Sequence, residues 1–320
     1  MTTPTIAFLF PGQGSQTVGM GRDLADKFPV ARRTFEEADD ALGFPLSTLC
    51  FEGPAEQLKL TEFTQPAIYT ASVAALRVLA EHGIVPSYVA GHSLGEYSAN
   101  VAAGALDFAD GARTVRNRGR YMQEAVPEGQ GAMAAILGVG ADIGEKACAQ
   151  AAAETGLVVA NANMNSPEQT AISGATAAVE RAVVLAKELG ARKAVMLHVS
   201  APFHCAMMQP AQDRLAELLH TLAFQQPRVP VITNVDAALV RDAESLRDAL
   251  IRQVTGAVRW TDSMRLLIDQ KPTHFIEVGP GKVLTGLLRQ IDRAQHGLHV
   301  EDSASLEKTL GALQAVPSAI

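Results

Sequence analysis

Short apolar runs alternate with longer amphipathic segments along most of the chain. Residues 5–10 form a nearly continuous apolar run, which is typical of a strand buried in a parallel sheet. A tight glycine-rich loop at 11–16 ends this strand, and a second short apolar run follows at 88–90. Helical patterns lie between and after these runs, at 23–28, 31–42, 65–81, 99–104 and 107–123. This alternation predicts an α/β fold with a parallel sheet.

The pattern changes after Pro127-Glu128-Gly129-Gln130-Gly131. The next segments predict a strand, a helix, two strands, a helix and a strand, at 133–137, 142–154, 157–162, 169–173, 175–189 and 193–199. This order is the ferredoxin-like pattern, and residues 163–167, with Asn163 and Asn165, are interpreted as a turn between the two middle strands. We therefore predict a small ferredoxin-like α+β domain at 130–199, inserted into a large domain formed by 1–129 and 200–320.

The large domain resumes after Pro202. Helical patterns at 207–222, 244–254 and 261–269 alternate there with predicted strands at 229–233 and 274–278. The segment after Glu301 is ordinary sequence, and we expect it either to pack as a last helix or to fray.

The run Gly91-His92-Ser93-Leu94-Gly95 has the G-x-S-x-G form of a nucleophile elbow. It lies between a predicted strand and small helix-forming residues, which is the context that this motif requires. Strand and helix nearly touch at such a turn, so the flanking residues must be small. The first amides of the new helix then point at the serine and begin an oxyanion hole. These features predict an α/β-hydrolase-like large domain.

A serine hydroxyl is a poor nucleophile at neutral pH and needs a base beside it, usually histidine. The downstream run Ser200-Ala201-Pro202-Phe203-His204 supplies a candidate base. The two runs together indicate acyl transfer through a serine ester.

Composition and charge narrow the possible partners. Hydrophobic residues make up 48% and charged residues 19% of the 320 residues, as in a soluble globular protein. The net charge of −7 argues against nucleic acid or an anionic membrane surface as the main partner, although Arg113, Arg116, Arg118 and Arg120 form a local basic patch. No segment is apolar for long enough to span a bilayer.

The remaining signals predict a cytoplasmic protein without a metal or bound cofactor. The first residues lack the basic and apolar regions of a signal peptide. The three cysteines are scattered and offer neither a disulfide framework nor metal-ligand spacing. The loop at 11–16 fails the dinucleotide-binding pattern because position 17 is threonine, and no Lys-Ser or Lys-Thr follows as in a phosphate-binding loop.

The chain resembles the malonyl-CoA:acyl carrier protein transacylases of bacterial type II fatty acid synthesis. The resemblance covers nearly the whole length. Its motifs are Phe10-Pro11-Gly12-Gln13-Gly14-Ser15-Gln16, Gly91-His92-Ser93-Leu94-Gly95-Glu96-Tyr97, Arg118-Gly119-Arg120-Tyr121-Met122-Gln123, Asn163-Met164-Asn165-Ser166-Pro167, Pro202-Phe203-His204, the region of Gln253, and Glu277-Val278-Gly279-Pro280-Gly281.

The resemblance implies a role for each matched catalytic position. Ser93 is expected to be the acylated nucleophile and His204 the base that takes its proton and returns it to the leaving thiolate. Gln253 resembles the residue whose carbonyl oxygen holds that histidine. The backbone amides of Gln13 and Leu94 are the implied oxyanion hole.

It also implies how the substrate is recognised. Arg118 resembles the arginine that grips the malonyl carboxylate through two parallel hydrogen bonds. Phe203 resembles the residue of malonyl-selective relatives, where its bulk crowds an α-methyl branch. His92 is expected to position the substrate rather than to act as the base, and Asn163 shares in ordering the site, although turn formation is its simpler interpretation.

The implied reaction is a ping-pong transfer. Malonyl-CoA acylates the serine, coenzyme A leaves, and the thiol of holo acyl carrier protein takes the malonyl group; a monomer is expected. A discrete acyltransferase of a polyketide synthase or malonate decarboxylase would use the same chemistry. A serine esterase or thioesterase would share the elbow but needs an acidic partner for histidine, for which Asp107, Asp110, Asp142 and Glu188 are candidates. A non-enzymatic scaffold would leave the serine and histidine unexplained.

Overall fold

The computed structural model describes residues 5–197, 199 and 201–314. His198, Ser200 and both chain ends lie outside the described residues, and so does the predicted domain boundary at Ser200. The elements up to residue 130 are β1 (Ile6–Phe10), α1 (Arg22–Lys27), α2 (Pro29–Leu42), α3 (Leu46–Glu52), α4 (Ala55–Leu58), α5 (Thr61–Glu81), β2 (Tyr88–Gly91), α6 (Gly95–Ala102) and α7 (Phe108–Glu124).

The second half of the chain begins with alternating strands and helices and ends mostly helical. The first part comprises β3 (Gly131–Leu137), α8 (Ala141–Thr155), β4 (Val159–Ser166), β5 (Gln169–Ala175), α9 (Thr176–Glu188) and β6 (Lys193–Met196). A short 3-10 turn, Ala206–Met208, then leads to α10 (Gln209–Thr221), β7 (Val231–Ile232), β8 (Leu239–Val240), α11 (Ala243–Arg252), α12 (Trp260–Asp269), β9 (His274–Val278), α13 (Val283–Ile291), β10 (Gly297–Val300) and α14 (Ser303–Gln314).

Six strands form the larger sheet, in the order β10-β9-β1-β2-β7-β8. The first five run parallel and β8 is antiparallel to β7, so the predicted α/β fold with a parallel sheet is confirmed. β1 is buried on both faces, as its continuous apolar run predicts. Ile6, Phe8 and Phe10 face one hydrophobic cluster, and Ala7 and Leu9 face another.

Four antiparallel strands form a second sheet, in the order β4-β5-β3-β6. Helices α8 and α9 pack together against it and enclose a separate hydrophobic cluster, to which β3 contributes Ala134 and Ile136. Met133, which alternates with them along β3, belongs instead to the core cluster of the larger sheet. This face of β3 therefore lies towards the candidate serine.

The turn predicted at 163–167 is wrong. Asn163 and Asn165 lie in β4, which continues to Ser166 because it pairs with β5 through Asn163 and Ala171. Asn163 also forms an isolated parallel bridge with Val258. Pairing on both sides outweighs the turn preference of asparagine, and only Pro167 and Glu168 remain between the strands.

Other differences concern short elements and helix starts. The pattern did not predict α3, α4, β8 or β10, which have two to seven residues. The helix expected from residue 99 begins four residues earlier, at Gly95, because the elbow leads directly into it. The segment after Glu301 forms a helix, Ser303–Gln314, within the described residues.

The start of α6 packs directly on the ends of β1 and β2. A Cβ atom added to Gly91 would overlap the backbone of Gly95, and one added to Gly95 would overlap the carbonyl group of Phe10. The requirement for small residues on both sides of the elbow is thereby confirmed.

Gly95→Ala should destabilise the protein by about 3 kcal/mol, because backbone atoms surround the added methyl group and cannot yield as a side chain would. Urea unfolding measures this loss. Gly311→Ala is the matched control, since that glycine lies exposed in α14 with no atom near its added Cβ. The control should be more stable by about 0.5–1 kcal/mol. Equal stability of Gly95→Ala and the parent would contradict the packing argument.

Candidate active site

Three parallel neighbours, β1, β2 and β7, present their carboxyl ends at one edge of the larger sheet. The chain leaves β1 towards Gln13, β2 towards Ser93 and β7 towards Asn234. Carboxyl ends of parallel strands are the usual place for ligands in open α/β sheets. This topology brings together residues that are far apart in the sequence.

Ser93 and His204 form a hydrogen-bonded pair. Ser93 has φ of 50° and His204 has φ of 60°, so both lie in the left-handed region, which costs a non-glycine residue about 1–3 kcal/mol. The Ser93 Oγ and His204 Nε2 atoms are 2.8 Å apart. Such strain is common where a reactive side chain must be held in place.

Backbone carbonyl oxygens hold the other ring nitrogen of His204. Nδ1 lies 2.8 Å from the carbonyl oxygen of Gln253 and 3.2 Å from that of Gly256. This arrangement fixes the tautomer in which Nε2 is free to accept the serine proton.

None of the four acidic residues considered for a hydrolase triad is bonded to this ring among the described residues. Asp107 caps α7, Asp110 pairs with Arg113, Asp142 pairs with Lys146, and Glu188 ends α9. The place of the aspartate in a Ser-His-Asp triad is therefore taken by neutral acceptors, the carbonyl oxygens of Gln253 and Gly256.

The cavity next to Ser93 has a volume of about 170 Å³ and is bordered by Gln13 and Leu94, whose backbone amides are the implied oxyanion hole. In the described part of the chain neither amide donates to another protein group. Leu94 stands directly before the first residue of α6, where helical amides have no internal acceptor. Both amides are therefore available to a ligand oxygen.

Arg118 is a buried cation, only 2% exposed, on the inward face of α7. Its two terminal nitrogens donate to Ser93 Oγ at 3.1 Å, Gln253 Oε1 at 2.9 Å and Gln65 Oε1 at 2.8 Å. Among the described residues no carboxylate oxygen lies within 4.0 Å of its nitrogens. Burial lowers the pKa of this guanidinium, which is the expected effect of removing a charge from water.

The predicted patch of four arginines does not form one surface. Arg113 pairs with Asp110 at 2.6 Å, and Arg116 stacks over Phe44 at 4.3 Å. Arg120 donates to Asn117 on the outer face of the helix. Only Arg118 points inward, because positions along a helix are spread around its circumference.

Phe203, Asn163 and His92 also line the cavity, with apolar walls formed by Leu94, Met122, Met133, Leu197 and Val199. His92 Nε2 lies 2.8 Å from Asn165 Oδ1, and its ring is 5.4 Å from that of Trp260. Asn165 therefore holds the His92 side chain at the wall of the cavity.

A layer of polar side chains beneath the cavity escaped the sequence analysis. Asn234 accepts from the amide of Ser93 at 2.7 Å and donates to the carbonyl of Gly91 at 2.7 Å, so it clamps the elbow. Glu96, fully buried, accepts from the side chain of Gln253 and from the backbone amide of Asn234. The one available signal was a charged residue in a helix start otherwise built of small residues.

Burial lowers the pKa of His204 to about 3, and the positive charge of Arg118 is the next largest cause. The histidine is therefore neutral at physiological pH and able to accept a proton. Burial also raises the pKa of Glu96 to about 7, against the hydrogen bonds from Gln253 and Asn234.

Residues 7–315 match the family model described as the acyl transferase domain. The chain is 54% identical to a malonyl CoA-acyl carrier protein transacylase of Escherichia coli O157:H7, over 89% of this chain and 92% of that protein. This chain belongs to the malonyl CoA-acyl carrier protein transacylases. It is an acyltransferase.

Solved transacylase structures share the whole fold. An acyl carrier protein S-malonyltransferase from Vibrio cholerae has a TM-score of 0.93 and 49% identity, covering 95% of this chain and 99% of that one. A malonyl-transacylase in complex with a type II PKS acyl-carrier protein has a TM-score of 0.93 and 47% identity, covering 96% and 99%.

The described residues contain neither a membrane-spanning helix nor a cluster of metal ligands. No helix there is long and apolar enough to cross a membrane. No group of three or more histidine, cysteine, aspartate or glutamate side chains there is placed to hold a metal ion.

The reactivity of Ser93 should persist into acid, because a base with a pKa near 3 stays neutral where an ordinary histidine, with pKa 6.5, is protonated. Labelling by a neutral serine-directed fluorophosphonate should keep its rate down to about pH 5. Arg118→Ala should move the acid limb towards higher pH, since one cause of the low pKa is removed. Circular dichroism at each pH controls for unfolding. A midpoint near 6.5 in the parent would contradict this assignment.

Proposed function

We propose that this acyltransferase moves the malonyl group of malonyl-CoA to the phosphopantetheine thiol of acyl carrier protein, through a malonyl ester of Ser93, and thereby supplies fatty acid synthesis. The observation that carries the proposal is the Arg118 guanidinium beside the serine. A buried charge is costly when no carboxylate oxygen of the described chain lies within 4.0 Å of it, and a carboxylate on the acyl group would pair with it.

The first half-reaction forms the acyl-enzyme. His204 Nε2 takes the proton of Ser93 Oγ while the oxygen attacks the thioester carbonyl, and the amides of Gln13 and Leu94 donate hydrogen bonds to the developing oxyanion. The C–S bond then breaks, and the proton on His204 goes to the departing sulfur of coenzyme A. Gln253 supports the imidazolium formed in between through its carbonyl oxygen.

The second half-reaction runs the same steps in the opposite sense. The carrier thiol gives its proton to His204 and attacks the ester carbonyl, and Ser93 leaves with that proton. A thiolate is a good leaving group, so a carbonyl-held histidine suffices where amide hydrolysis uses aspartate. The narrow cavity positions the thiol and limits access of water.

Substrate selection is proposed to depend on the cavity walls. Arg118 holds the malonyl carboxylate, while Phe203 crowds any α-methyl branch. His92, held by Asn165, and Asn163 shape the opposite wall. Efficient transfer of methylmalonyl groups would contradict the role of Phe203.

A second candidate is a discrete acyltransferase of a polyketide system. The similar structure that contains a type II PKS acyl-carrier protein favours it. The chemistry at Ser93 would be the same, and only the carrier would differ. Comparing transfer rates to a fatty-acid and a polyketide carrier separates the two.

We also propose that residues 130–199 form a ferredoxin-like subdomain inserted into a hydrolase-like domain of 1–129 and 200–320. The strand order β4-β5-β3-β6 and the separate hydrophobic cluster support this division.

For assembly and location, the proposal is a monomer in the cytoplasm. The three free, buried cysteines agree with a reducing compartment. Light scattering tests the monomeric state, and cell fractionation tests the cytoplasmic location.

A basic cleft is proposed as the docking site of the acidic carrier protein. Arg192, Arg289 and Arg293 line an open cleft of about 690 Å³, and none of them has an ion-pair partner within the described chain. A further cavity neighbours both, because Gln169 lines it together with the cleft and His92 lines it together with the serine cavity.

Intact-protein mass spectrometry should show one malonyl group on the parent after mixing with malonyl-CoA and none on Ser93→Ala. Addition of holo carrier should remove the adduct faster than water does, because the thiol attacks a positioned ester. An adduct lost to water without a carrier product would favour a hydrolase.

Arg118→Ala should weaken the preference for malonyl over acetyl groups about 10- to 100-fold, since charge-assisted hydrogen bonds are worth about 1.5–3 kcal/mol. The ratio of kcat/KM for malonyl-CoA to that for acetyl-CoA measures this preference. Arg113→Ala on the same helix is the control, because its side chain points outward to Asp110. A preference kept in Arg118→Ala would contradict the assignment.

Reversing two charges in the cleft, Arg289→Glu with Arg293→Glu, should raise the KM for carrier protein and flatten its dependence on salt. The KM for malonyl-CoA should stay unchanged. Lys308→Glu, exposed on α14, is the matched control. An equal rise in both KM values would assign the cleft to coenzyme A instead.

A further inference from the structure

Glu96 is the only carboxylate among the described residues that is bonded to the groups beneath Ser93. It lies in the first turn of α6 and is fully buried, whereas acidic residues at helix starts are ordinarily solvated. Its Oε2 atom accepts from Gln253 Nε2 at 2.8 Å and from the Asn234 amide at 3.0 Å. Its Oε1 atom has no hydrogen-bond partner within the described chain.

Each of these two partners holds a different part of the reacting pair. Asn234 binds the amide of Ser93 and the carbonyl of Gly91, so it fixes the elbow. Gln253 receives the ring of His204 on its backbone carbonyl, so it fixes the base. One carboxylate oxygen thus joins the support of the nucleophile to the support of the base.

The side chain of Gln253 also reaches the arginine. Its Oε1 accepts from Arg118 at 2.9 Å, while its Nε2 donates to Glu96 and, at 2.9 Å, to the carbonyl oxygen of Ser93. An amide has one accepting and one donating end, and the two cannot be exchanged without opposing Arg118 and Glu96 with like groups. The acceptor on Glu96, together with the carbonyl oxygen of Ser93, therefore fixes which end of the amide faces the guanidinium.

We propose that Glu96 is a positioning residue for this reaction: through the Gln253 amide it sets the orientation of Arg118 towards the acyl carboxylate while it holds the elbow through Asn234. It touches neither substrate nor reacting atoms. The inference rests on the proposed role of Arg118. The position of the accepting oxygen carries this role, rather than the charge on it.

Two conservative variants separate position from charge. Glu96→Gln keeps an accepting oxygen for Gln253 and Asn234, and its new NH₂ takes the place of the unpartnered oxygen. Glu96→Asp keeps a carboxylate but shortens the side chain by one methylene, which withdraws the oxygen from both donors. Both variants keep a polar group in the same buried space.

The deciding measurement is the ratio of kcat/KM for malonyl-CoA to that for acetyl-CoA. This ratio does not depend on how much enzyme is folded, so a role in stability alone would leave it unchanged. We expect Glu96→Asp to lower the ratio about 10-fold, as the loss of a hydrogen bond to a charged group predicts, and Glu96→Gln to stay within about 3-fold of the parent. The acylation rate at saturating malonyl-CoA should also fall in Glu96→Asp, because the shorter side chain no longer holds Gln253 and Asn234 in place.

An unchanged ratio in Glu96→Asp would overturn the proposal. A loss in Glu96→Gln alone would overturn it too and assign the effect to charge, since only that variant removes the charge. Equal losses in both variants would also overturn it, because Glu96→Gln keeps the accepting oxygen. Should Glu96→Asp not fold, Gln253→Met removes the same amide link and keeps the backbone carbonyl, and an unchanged ratio there would also overturn it. A parent enzyme that shows no malonyl preference would instead contradict the proposed function itself.

Discussion

The close contact between α6 and the ends of β1 and β2 is the constraint on which the rest of the site depends. Glycine at positions 91 and 95 lets the helix start immediately after the strand, with Ser93 forced into the left-handed region between them. The same contact places Leu94 at the cavity and buries Glu96 in the first turn of the helix. A bulkier residue at either glycine would move all three together.

This constraint explains why part of the site could be predicted from the sequence. The elbow and its serine follow from five consecutive residues, as does the position of Leu94, whose amide is proposed for the oxyanion hole, because strand-turn-helix geometry is local. Only a resemblance that spans the chain could place His204, Gln253 and Arg118 in the site. The sequence of one segment does not show which distant segment it contacts in the fold. The geometry of the fold brings these residues to one edge of the sheet.

The residues that were missed or misread share one physical cause. Asn163 and Asn165 have turn-forming side chains, yet β-pairing with β5 and a bridge to Val258 determine their conformation. Glu96 and Asn234 act through partners more than a hundred residues away, so their local sequence carries little sign of their place. The four arginines of α7 look alike in the sequence, and only the direction of each side chain on the helix separates the buried one from the others.

The role proposed for Arg118 would connect substrate selection with the reactivity of the Ser93–His204 pair. Its charge is one cause of the low pKa of His204, so the free enzyme keeps its base neutral but weak. An acyl carboxylate paired with the guanidinium offsets part of that charge, which raises the pKa of His204 and strengthens the base. An acetyl group brings no such charge and meets the weaker base. The enzyme would then discriminate between malonyl and acetyl groups in the chemical step as well as in binding. Such an interaction stabilises the transition state of the anionic substrate more than its ground state.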